Sequence, residues 1–124
     1  MTRKQALAEL ISKVEAGTLI PDNLIVSSEV SAMIDLAVNV SDLHGDVWAD
    51  LCNAYDGSLD AAKALHEAVL PDWYVFIKGQ KGYVWFAELM DRDDNRHPQT
   101  EGETPARAWL LSILRALHSM EPDA

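Results

Sequence analysis

The 124-residue sequence predicts an α+β fold, a small α-β-α layered sandwich in which an antiparallel hairpin between Trp73 and Leu89 is covered by four or five helices. Three observations lead there. Residues 73–78 and 83–89 are aromatic and β-branched and are separated by Gly79-Gln80-Lys81-Gly82, the pattern of two strands joined by a turn. On both sides of that hairpin, apolar residues recur at three- and four-residue spacing behind serine or threonine caps, the mark of amphipathic helices. The length corresponds to about one domain, and 48% hydrophobic against 24% charged residues is enough apolar surface for one core.

Taken in order, Thr2 and Gln5 have the form of a capping box, and Leu7, Leu10, Ile11 and Val14 recur at helical spacing before Gly17, which predicts a helix over 2–16. Thr18 to Ser27 holds Pro21 and Asp22-Asn23, a turn signature, and reads as a loop or a short edge strand. Ser27 or Ser28 caps a helix over 28–38, with Val30, Met33, Ile34, Ala37 and Val38 on one stripe. Residues 41–53 read as a short helix, because Val47, Trp48, Leu51 and Cys52 keep a helical rhythm despite Gly45. Ser58 caps a helix over 58–70 that carries Asp60 in its first turn and is stopped by Pro71.

In the hairpin, Trp73, Val75 and Ile77 point one way and Tyr74, Phe76 and Lys78 the other. Both faces are mainly apolar, which predicts helices on both sides in a monomer. The alternative is a homodimer formed through an uncovered face or strand edge, with Trp85 and Leu111 in the contact. Leu111 qualifies because it lies between Arg107 and Arg115 on the otherwise polar side of the last helix. Residues 91–103 are polar without periodicity and predict a mobile loop. Thr104 and Pro105 then open a helix over 104–119, with Ala106, Trp109, Leu110, Ile113, Leu114 and Leu117 toward the core.

The formal net charge is −10, and most of it lies between residues 18 and 72, where Lys63 is the sole base among ten acids. No segment clusters the lysines and arginines that phosphate binding requires, so the expectation is no direct nucleic-acid binding and no anionic-membrane binding. No apolar run approaches the ~18 residues of a spanning helix, and the opening residues carry no apolar stretch, so a cytoplasmic protein is expected. A single cysteine, Cys52, rules out an intramolecular disulfide and a thiol metal cluster.

Catalytic and metal motifs are approached but not completed. His66-Glu67 begins the zinc-protease pattern, yet Leu70 stands at the second histidine position beside Pro71, so His66 reads as an ordinary histidine flanking an apolar helix face. Asp91, Asp93 and Asn95 fit the first positions of a calcium loop, but Arg96 and Gly102 stand where glycine and a bidentate glutamate are needed. Nucleotide-binding glycine loops and a nucleophile elbow are missing, and Cys52 lacks an identifiable base. Asn39-Val40-Ser41 matches a glycosylation acceptor in form alone. The expectation is therefore no catalytic residue, no metal and no cofactor.

Three segments together carry a resemblance: Tyr55-Asp56-Gly57-Ser58-Leu59-Asp60-Ala61-Ala62, then Leu70-Pro71-Asp72-Trp73, then Gly102 to Leu110 with Thr104-Pro105-Ala106 at its centre. In these the chain resembles the phage ABA sandwich domain family of small bacteriophage and prophage proteins. Asp56 stands where that family often has threonine, and Asp72 where glycine is frequent. The resemblance implies an α-β-α layered fold and a phage or prophage origin, and implies no activity.

The function expected is that of a non-enzymatic accessory protein acting on a host or phage protein by contact. One alternative is an acidic mimic of nucleic acid that inhibits a host protein: were 41–53 helical, Asp42, Asp46 and Asp50 would repeat about 6 Å apart on one face, close to phosphate spacing. The other is a small enzyme using carboxylates of the 42–60 stretch.

Overall fold

The structure, a computed structural model, describes residues 1–20, 27–38, 47–80 and 84–122. It contains helices α1 (Arg3–Ala16), α2 (Ser28–Ala37), α3 (Val47–Tyr55), α4 (Leu59–Val69) and α5 (Pro105–Met120), with strands β1 (Tyr74–Gln80), β2 (Val84–Met90) and β3 (Thr100–Gly102). Among the described residues, five helices beside a three-stranded antiparallel sheet make this the α+β fold expected.

The helix starts follow local chemistry. Thr2 and Gln5 form the capping box, with Thr2 Oγ1 accepting from Gln5 N–H at 3.1 Å and Gln5 Oε1 accepting from Thr2 N–H at 2.8 Å. Ser27, Ser58 and Thr104 each accept from the N–H three residues on, at the heads of α2, α4 and α5. Each such cap satisfies an orphan amide and contributes about 1 kcal/mol. The segment at 41–53 begins, among the described residues, at Val47 and runs two residues past the expected end. Residues 21–26, on which the loop-or-strand reading of Thr18 to Ser27 mostly falls, and Asn39-Val40-Ser41 lie outside the described residues.

The sheet departs from expectation in three ways. β1 does not turn at Gly79: it runs to Gln80, pairing Gly79 with Trp85 and Gln80 with Val84. The reason is steric, since a Cβ on Gly79 would stand 2.8 Å from the Trp85 ring, so the glycine makes room for an indole laid across the ladder. The expected mobile loop 91–103 is ordered by backbone pairing. Arg96 bridges to Met90, His97 N–H donates to Leu89 O at 2.9 Å, and β3 adds a third strand beside β2. Third, the described helices lie on one side of the sheet. Ala87, Leu89 and Thr100 are buried under α5, whereas Tyr74 and Phe76 on the outer side remain 60% and 49% exposed.

The position of α5 explains this. It packs against α1, α3, α4 and all three strands, and residues all around it are buried, including Leu111 at 3% exposure. A helix surrounded on every side needs apolar residues beyond a single stripe. Leu111 is therefore core, not part of a dimer contact. Arg107 donates from Nε and Nη2 to Tyr55 O at 3.1 and 2.9 Å with its guanidinium 4.1 Å from the Tyr55 ring, tying the end of α3 to the start of α5. Arg115 pairs with Glu15 of α1.

Candidate functional site

The outer side of the sheet carries Tyr74, Phe76 and Lys78 from β1 and Phe86, Glu88 and Met90 from β2, because alternate residues of a strand share a face. The sequence marked this face as mainly apolar, and no described helix covers Tyr74 and Phe76, while Phe86, Glu88 and Met90 are half-buried. Arg96, delivered by its bridge to Met90, sets its guanidinium 6.0 Å from the centre of the Phe76 ring and 3.7 Å from the Glu88 carboxylate. The result is a sheet face on which two exposed aromatic rings are flanked by Lys78 and Arg96. Trp85 belongs to the opposite row, with Ala87 and Leu89, yet is 39% exposed over Gly79. Of the candidates taken from the sequence, Trp85 is thus at the surface and Leu111 is not. Asp50 lies half-buried in the first turn of α3, and Asp42 and Asp46 lie outside the described residues, as do Lys81 and Gly82.

His66, expected to flank an apolar helix face, is buried in the core. At 6% exposure its Nδ1 accepts from Trp109 Nε1–H at 3.0 Å and its Nε2 lies 2.9 Å from Trp73 O. An indole N–H only donates and a carbonyl only accepts, so the proton sits on Nε2 and both ring nitrogens are engaged. Neither is left for a metal or a substrate.

Asp91, the first residue of the incomplete calcium loop, turns its carboxylate onto its own chain. Oδ1 accepts from Asp93 N–H at 2.9 Å and Asn95 N–H at 3.1 Å, and Oδ2 lies 3.2 Å from His97 Nε2. The His97 ring in turn packs on Trp73 at 4.8 Å. Desolvation raises the Asp91 pKa, but the hydrogen bonds from Asn95, His97 and Asp93 outweigh it and hold the group below its ordinary 3.8. A carboxylate with a depressed folded pKa stabilises the fold above its unfolded value and loses that contribution as pH falls through the folded value. In an acid titration the amide resonances of Asp93 and Asn95 are therefore expected to shift with a midpoint below 3.8; a midpoint at or above that value would reject the account.

Among the described residues no group of three or more His, Cys, Asp or Glu side chains could hold a metal ion, and no helix is long and apolar enough to cross a membrane. A cleft of about 650 Å³ opens between the end of α1, α5 and β3. Its arginines, Arg107 and Arg115, are each paired with a glutamate, Glu103 and Glu15, so it presents no field of one sign. The sequence offered no signal for this cleft, since it exists only where distant elements meet.

Comparison with family models, with curated proteins and with solved structures finds no match to this chain.

Proposed function

We propose that the protein is a non-enzymatic phage or prophage accessory protein that works by contact with another protein, and that the contact is made by the outer face of its sheet. The observation that carries the reading is the exposed pair Tyr74 and Phe76 on a face that no described helix covers. Aromatic side chains are the commonest anchors of protein interfaces, because they bury large area at little entropic cost. The absence of a complete catalytic motif in the sequence agrees with a contact role. The phage or prophage part rests on the three motif segments, which here stand at the start of α4, the end of α4 and the start of α5. Asp72, where the resembling family often has glycine, has φ 71°, a left-handed conformation that glycine adopts without strain.

Immobilised wild-type protein and a Tyr74→Ser/Phe76→Ser double variant, exposed to the same bacterial lysate, test the reading. The expected result is a protein retained by the wild type and reduced about tenfold or more by the variant, whose circular dichroism is unchanged. Equal retention by both, or retention by neither, overturns the outer-face contact. Turnover in a hydrolase or transferase screen that one point substitution abolishes overturns the non-enzymatic reading.

A further inference from the structure

The sheet order β1-β2-β3 makes β1 an edge strand, and among the described residues no strand lies on its outer side. Two hydrogen bonds on the far side of β2 reveal which groups face that edge. Leu89 O accepts from His97 N–H, and Ala87 O lies 3.3 Å from Thr100 Oγ1, so both carbonyls point toward β3. In an antiparallel ladder a residue sends its N–H and C=O to the same side, and successive residues alternate. Val75 and Ile77, the β1 partners of Leu89 and Ala87, therefore turn their N–H and C=O away from β2, and Gly79 does the same by alternation. The edge presents a regular row of donors and acceptors.

We propose that two copies of the chain pair β1 with β1, antiparallel across a twofold axis at Ile77, to form one continuous six-stranded sheet. This register sets Ile77 against Ile77 of the second copy and Val75 against Gly79 of the second copy, so that every N–H and C=O of the row meets its complement. It uses the whole of Tyr74–Gln80, whose pairing with β2 is unbroken by any bulge. On the outer face it places Phe76 beside Lys78 of the second copy, twice, an aromatic–cation contact at neighbouring strand positions. Charge favours the same edge. In a chain of net charge −10, β1 carries Lys78 and no acid, so two acidic molecules can approach here without opposing carboxylates. Natural sheets block an edge with proline, several charges or a bulge, and β1 has Lys78 alone. β3, the other edge, is three residues long and carries Glu101.

Sedimentation equilibrium of the purified protein alone, at tens of micromolar, is the test. The expected mass is twice 13.7 kDa. Phe76→Lys puts like charges opposite each other on both sides of the axis and is expected to return the monomer mass with unchanged circular dichroism. Leu59→Lys, an exposed change on α4, is expected to leave the dimer intact. A wild-type mass of 13.7 kDa overturns the proposal, as does a dimer that persists in Phe76→Lys. No other protein is present in the cell, so the result is independent of the capture of a partner by the outer face.

Discussion

His66→Ala is expected to lower the unfolding free energy by about 4 kcal/mol in urea denaturation. The imidazole is 6% exposed and bridges Trp109 Nε1–H to Trp73 O, with its ring edge-on to Trp109 at 5.5 Å. Alanine strands both partners. Each unsatisfied buried group costs about 1–3 kcal/mol, and the lost ring adds a cavity between α4, α5 and the entry to β1. His66→Gln preserves one of the two bonds and is expected to cost about half as much. A loss under about 1 kcal/mol for His66→Ala would show that the histidine is not the pin between these elements.

The second large effect is expected at Gly102. A Cβ there would lie 2.5 Å from the Ala108 nitrogen, 2.8 Å from its Cα and 3.0 Å from the Arg107 carbonyl carbon, all backbone atoms of the first turns of α5. Backbone cannot rotate aside as a side chain can, so Gly102→Ala must push β3 off the helix. That separation also strains the Thr100 hydroxyl, which donates to Ala108 O at 2.9 Å. The expected loss is about 3 kcal/mol. Gly79→Ala is the control: its Cβ would also be crowded, at 2.8 Å against 2.5 Å, but by the Trp85 ring, which is 39% exposed and can swing outward. The expected loss there is under about 1 kcal/mol, with a shift in tryptophan fluorescence. Equal losses at the two glycines would refute the distinction between a backbone and a side-chain obstacle.

Local chemistry made much of this fold legible. Thr2, Ser27, Ser58 and Thr104 mark helix starts because a cap needs only its own residue and the next turn, and Pro71 marks the end of α4 for an equally local reason. The hairpin was legible because aromatic and β-branched residues alternate through both strands. Its connecting turn was misplaced because Gly79 answers to Trp85, a cross-strand neighbour, and not to the chain direction.

What the sequence by itself determined about this protein is therefore its α+β class, the heads of its helices, its hairpin, its acidity and the incompleteness of each catalytic motif. Tertiary structure alone decided the rest. Residues 91–103 contain no strand pattern, and β3 forms because β2 offers a free edge and Gly102 lets α5 press against it. Leu111 looks like a surface residue between two arginines until the elements packed around α5 bury it, and His66, read from the sequence as a histidine flanking an apolar helix face, becomes a buried bridge between Trp109 and Trp73. Which sheet face is covered follows from where α5 docks. Caps and turns depend on contacts a few residues apart, which a sequence displays directly, whereas burial, edges and clefts depend on which distant surfaces meet.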